Sequence, residues 1–130
     1  MNADDYLHKI LATDIIGAGM KVLNALRPGL DEKIYENALV IELRKRGHLV
    51  DQQKQFSVSY ESQEVGKLVP DLIVDSSVIV DPKVDVAFSE THLSQTIGYL
   101  AITGLEVALL LNFKESKLQW KRVVRTKSAQ

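Results

Sequence analysis

No cysteine occurs among the 130 residues, so disulfides, thiolate nucleophiles and cysteine-based zinc sites are all excluded. No apolar run approaches the roughly 20 residues that a membrane-spanning helix needs. The opening MNADDYLHK lacks the basic-then-apolar pattern of a secretory leader. These absences lead to the expectation of a cytoplasmic protein with no membrane partner. Neither sign of charge dominates: 16 Lys and Arg face 17 Asp and Glu, for a formal net charge of −1. That balance argues against a chain that coats nucleic acid by charge alone. Internal repeats, low-complexity stretches and linkers are also missing, which favours one domain over residues 1–130.

What is present is the composition of an ordinary globular chain, 45% hydrophobic and 25% charged. The charge is unevenly placed. Residues 114–130 carry Lys114, Lys117, Lys121, Arg122, Arg125 and Lys127 against the single acid Glu115, a tail able to touch phosphates or simply to aid solubility.

Apolar positions at near-helical spacing from Leu7 to Leu26 predict a first helix, with Asp4 or Asp5 as its cap. Gly17 and Gly19 within it mark a close contact or a break near Thr13. Arg27-Pro28-Gly29 ends it in a turn. A second helix is predicted over residues 31–46: Asp31 and Glu32 suit its N-terminal dipole, Arg44, Lys45 and Arg46 its C-terminus, and Gly47 stops it. The period then changes to two, with Phe56, Val58 and Tyr60 on one face of a half-exposed strand, and residues 61–64 read as a turn. A third helix, capped by Ser89 or Thr91 and closed by Gly104, carries Leu93, Ile97, Leu100 and Ala101 on one face and His92, Gln95 and Tyr99 on another. The run from Val107 to Leu111 predicts a strand buried on both sides, and alternating Leu118, Trp120, Arg122 and Val124 an edge strand. The element order is α-α-β-β-β-α-β-β.

The informative stretch lies between these elements, at residues 69–84, VPDLIVDSSVIVDPKV. Two short apolar runs around Asp75-Ser76-Ser77 predict a β-hairpin. Its strands carry Asp71, Asp81 and Lys83 where apolar side chains are usual. Residues two apart share a strand face, so Asp81 and Lys83 project together, with Asp71 and Ile73 able to line the same side. Charges on such strands are costly unless something offsets their desolvation, and a divalent cation with its water does so. The bland alternative is a solvated salt bridge at a strand end. Pro82 requires its strand to be bulged, at an edge or ending there.

These residues, taken with RPGLDEKIYENAL at 27–39, SQTIGYLAITG at 94–104 and LLLNF at 109–113, resemble the small GxxExxY proteins of the PD-(D/E)xK nuclease superfamily. The naming motif stands as Gly29-Leu30-Asp31-Glu32-Lys33-Ile34-Tyr35. The resemblance implies an α/β restriction-endonuclease-like fold: an αβββαβ core, a mixed central sheet flanked by helices, an extra N-terminal helix and a C-terminal edge strand. It implies Asp71, Asp81 and Lys83 as catalytic residues, and Glu32, Asp71 and Asp81 as ligands of Mg²⁺ or Mn²⁺. Gln95 and Tyr99 match a Q-x-x-x-Y motif that positions the DNA strand, and Tyr35 is a signature position that packs or hydrogen-bonds across helices. Asp81 stands where relatives commonly have Glu, and Pro82 where they have an apolar residue. The implied function is metal-dependent hydrolysis of nucleic acid, DNA in the first instance; the small surface that one such domain offers to a duplex adds the expectation of a homodimer. A catalytically idle nuclease-fold protein that binds nucleic acid or a protein partner, and a structural or regulatory homodimer, are the alternatives.

Overall fold

The computed structural model describes residues 3–125. Lys127, the last base of the C-terminal run, lies outside the described residues. Helices α1 (Ala3–Leu26) and α2 (Glu32–Lys45) come first. Strands β1 (Val50–Gln52), β2 (Phe56–Tyr60), β3 (Gln63–Leu68), β4 (Leu72–Val74) and β5 (Val78–Lys83) follow, and then α3 (Glu90–Thr103), β6 (Val107–Asn112) and β7 (Gln119–Val124).

Strands β1, β4, β5, β6 and β7 form one sheet in that spatial order. Only the β5–β6 pair is parallel, because α3 carries the chain back across the sheet between them. The others are antiparallel. Helix α2, the meander β1-β4-β5, helix α3 and strand β6 make the αβββαβ core of a restriction-endonuclease-like mixed α/β fold. Helix α1 and edge strand β7 flank it, and β2–β3 forms a separate two-stranded sheet.

Alternation on the central strands divides the core in two. Leu72, Val74, Val78, Val80, Leu109 and Leu111 pack against α1 and α2. Ile73, Ile79, Ala108 and Leu110 face α3 through Leu100. Helix α1 runs unbroken through both glycines. A Cβ on Gly19 would lie 3.0 Å from Leu118 Cδ2 and 3.2 Å from Leu111 Cδ1, so glycine lets α1 settle onto the end of the sheet.

Several elements differ from the sequence-based expectation. Helix α1 starts at Ala3, which puts Asp4 and Asp5 inside its first turn rather than at a cap. Strand β1, only three residues long, was not anticipated. The turn after β2 is Glu61-Ser62, both left-handed at φ 47° and 65°, and Gln63 and Glu64 already belong to β3. On α3 the inward face is Thr96 and Leu100, whereas Ile97 and Ala101 are exposed. The predicted caps, Ser89 and a left-handed Gly104, are both in place.

Pro82 sits in a central strand, and the register explains how. Phe113 N–H donates to Lys83 C=O, so the backbone groups of Lys83 face β6, and those of Pro82, one residue back, face β4. Pairing of β4 with β5 has already stopped at Leu72↔Val80. Continued by one residue, that register would set Asp81 opposite Asp71, and by two it would set Pro82 opposite Pro70, neither of which has an N–H to give. The two prolines end the ladder at the residues that carry Asp71 and Asp81.

Across the molecule a second polar cluster ties three elements together. His48, in the turn after α2, places Nε2 2.5 Å from Asp14 Oδ2 of α1 and Nδ1 2.7 Å from Asp75 Oδ2 of the β4–β5 turn. Asp75 also accepts from Leu49 N–H at 2.8 Å, and Asp14 pairs with Arg46 at 2.7 Å. Burial alone would lower the imidazole pKa, but the two carboxylates outweigh it and hold His48 above its usual value. Chiefly through its bond to His48, Asp14 is held below the usual carboxylate range. The His48 contribution is therefore complete below about pH 6.5, its unfolded value, and fades as pH rises through the higher folded value. The Asp14 contribution is lost only as pH falls through its depressed value. His48→Gln is expected to destabilise the fold by about 1.5–3 kcal/mol at pH 5.5, the range for hydrogen bonds to charged groups. The loss should be clearly smaller at pH 9, by urea unfolding at both pH values.

Candidate active site

The site lies where β4 begins and β5 ends, on the sheet face that α3 covers. Asp71 immediately precedes β4. Asp81 and Lys83 project from the same face of β5, with Lys83 Nζ 3.4 Å from Asp81 Oδ2. Asp81 is only 8% exposed. Burial, then a hydrogen bond with Asp71 and the Asp71 charge, push its carboxyl up to about 7, while Lys83 pulls the other way. Two carboxyl groups in contact in a poorly hydrated place cannot both ionise cheaply.

The backbone around Lys83 is held firmly. Asn112, its register partner on β6, is 2% exposed. Its amide donates to Asp85 C=O at 2.7 Å and accepts from Asp85 N–H at 3.2 Å and Lys114 N–H at 3.1 Å. With the Phe113–Lys83 bond, these contacts fix the chain as it leaves β5.

Glu32 enters from the first residue of α2. Burial raises its pKa, with the Asp71 and Asp85 charges acting in the same sense and the Lys83 charge and Val84 N–H opposing them. Tyr35 explains why α2 starts there. Its ring is fully buried and stacks on Phe113 at 4.7 Å between centroids. Its hydroxyl donates to Arg27 C=O at 2.5 Å and accepts from Leu30 N–H at 3.1 Å. Arg27 (φ 72°) and Gly29 (φ 105°) both take left-handed conformations in the turn so gripped. The Gly29, Glu32 and Tyr35 spacing is thus a mechanical unit: a glycine turn, an acid at the helix start, and a tyrosine one turn on that holds the turn closed.

From α3, Gln95 Nε2 donates to Tyr99 Oη at 3.2 Å. The Tyr99 phenol is half-buried, and its pKa is raised by burial first and then by the Asp81 and Asp71 charges. His92 serves the helix instead. Its backbone N–H donates to Ser89 Oγ, its Nδ1 accepts from Ser89 N–H, and its Nε2 lies 3.3 Å from Asp85 Oδ2.

Asp71, Asp81, Lys83 and Tyr99 thus come together, with Glu32 and Gln95 at the margin. Among the described residues, no three His, Asp or Glu groups gather closely enough to cage an ion. The donor chemistry still suits a hard divalent cation. Asp71 and Asp81 offer only oxygen, and a cation beside them would offset the burial and the Asp71 charge that push the Asp81 carboxyl up to about 7. The pair fits such an ion; Glu32 is not drawn into it.

Residues that sequence spacing did not single out also frame the site. Asp85 continues the Asp81, Lys83 alternation by two, and Glu36 lies one helical turn beyond Glu32, so both carried a periodic signal. Gln53 and Asn112 carried none, because their partners are distant in sequence.

The mixed sheet carries two carboxylates and a lysine at the ends of adjacent strands, and the class of protein is nuclease-like. The chain belongs to the PD-(D/E)XK nuclease superfamily, whose family model matches residues 9–123. Members of that superfamily generally use divalent metals. No curated protein and no solved structure matches the chain.

Tyr35→Phe removes one hydroxyl and leaves two partners at the turn unsatisfied. It is expected to cost about 1–2 kcal/mol in urea unfolding while the Phe113 stack persists.

Proposed function

We infer that the chain is a metal-dependent nuclease of the GxxExxY group that hydrolyses phosphodiester bonds in DNA. The observation that carries this reading is the buried Asp81 carboxyl with Lys83 Nζ 3.4 Å away and the half-buried Asp71 beside it, ionisable groups on an otherwise apolar sheet. Asp71 and Asp81 would hold Mg²⁺ or Mn²⁺, and Glu32, outside the pair itself, would act on the ion through its charge or through water. The bound cation supplies positive charge to the scissile phosphate and acidifies water. Lys83, fixed by the Asn112 and Phe113 contacts, places its ammonium where negative charge grows on the phosphoryl oxygens and can orient the attacking water. Tyr99 and Gln95, on the helix over the site, offer a phenol and an amide to a neighbouring phosphate or sugar. A single domain over residues 1–130, a cytoplasmic location and pairing as a homodimer belong to the same reading, since so small a chain offers little surface to grip a duplex.

A second reading is a catalytically idle nuclease-fold protein that binds nucleic acid or a protein partner. The absence of a gathered three-ligand cluster among the described residues favours it.

The two readings separate on one assay. With Mn²⁺ or Mg²⁺, the purified protein should degrade single- or double-stranded DNA. Lys83→Ala should lower the rate by about 10²–10³-fold, the scale for losing one electrostatic stabiliser of the transition state. Equal rates for both proteins, at the background of the metal alone, would support the idle reading.

A further inference from the structure

We propose that Gln53 is a positioning residue that orients the Asp71 carboxylate for the cation, with Glu36 as its anchor; this rests on the nuclease reading above. Gln53 follows β1 directly and is left-handed at φ 59°, an uncommon conformation for a residue with a side chain. Its backbone N–H donates to Asp71 C=O at 3.0 Å. Its side-chain Nε2 lies 3.1 Å from Asp71 Oδ1 and 3.1 Å from Glu36 Oε2. Carboxylates only accept, so the amide nitrogen must face both, and its two hydrogens match the two acceptors.

Glu36 is the fixed end of this bridge. It is a carboxylate only 3% exposed, on the buried face of α2. Lys33 Nζ holds it at 2.8 Å and Gln52 Nε2 at 2.6 Å, so its charge is matched without Gln53. The amide then spans from the helix to the start of β4. It occupies Asp71 Oδ1, fixes the rotation of that carboxylate and leaves the other oxygen for a cation.

A neutral amide suits this task better than a base. Lys or Arg at position 53 would orient Asp71 equally well, but would add positive charge where the ion must sit. The amide restrains the ligand without competing for the site. Outer partners of metal-binding carboxylates act in this way, and removing one commonly weakens metal affinity by about 10–100-fold.

The test uses the full chain and Mn²⁺ in titration calorimetry, beside thermal melting. Gln53→Met keeps the side-chain length without the donors. Gln53→Gly removes the side chain and suits the left-handed backbone, so its melting temperature should equal or exceed that of the unmodified protein. Both variants are expected to bind Mn²⁺ about 10–100-fold more weakly while melting normally. Affinities within twofold of the unmodified protein would overturn the positioning role and leave the nuclease reading intact. Loss of affinity in step with a lowered melting temperature in both variants would also overturn it, by showing a purely structural part. Absence of Mn²⁺ binding by the unmodified protein would overturn the nuclease reading and this inference together.

Discussion

Asp81 is a carboxyl group held almost out of water on the central strand of an apolar sheet. Burying such a group without partners costs several kcal/mol, and nothing about the sheet itself requires it. The surrounding structure can be understood as the set of contacts that make this placement tolerable. Lys83 supplies the opposing charge, and a carboxyl pushed up to about 7 by burial and by Asp71 is partly protonated near neutral pH. A cation would do the same while freeing both carboxylates, which is why the pair suits a metal better than it suits a salt bridge.

Holding that cluster requires the strands to part at the right residue and the neighbouring elements to stay still. Pro70 and Pro82, opposite one another by register, end the β4–β5 ladder beside the two aspartates. On the other side of β5 the parallel pairing with β6 continues to Lys83↔Asn112, and the Asn112 amide secures the loop beyond. Tyr35 closes the turn before α2, so Glu32 arrives at the helix start facing Val84 and Lys83. A proline, disruptive inside most strands, is thereby absorbed where no hydrogen bond was due.

Much of this architecture could be read from local sequence. The Asp75–Ser77 break, the Ser89 and Gly104 caps and the Val107 run each encode an element through turn chemistry, capping or burial on both faces. The shared sheet face of Asp71, Asp81 and Lys83 followed from strand alternation once the hairpin was recognised. Strand β1 was not legible, because three residues containing Asp51 have no period to detect, and β3 was hidden by its polar QEVGKL. The inward face of α3 was misjudged because Ile97 and Ala101 are apolar yet exposed, while Thr96 turns inward and satisfies its hydroxyl on His92 C=O. Long-range polar contacts, such as Gln53 to Asp71 and His48 to both Asp14 and Asp75, depend on folding topology and left no local trace.

The central claim is that Asp71 and Asp81 form a cation site and not a residual ion cluster. Anomalous diffraction from a crystal soaked in Mn²⁺ tests it directly. The account predicts a peak in contact with both carboxylates, with Lys83 displaced no further than its present reach of Asp81. A peak bound elsewhere, or none at Asp71 and Asp81 with the metal in excess, would contradict it.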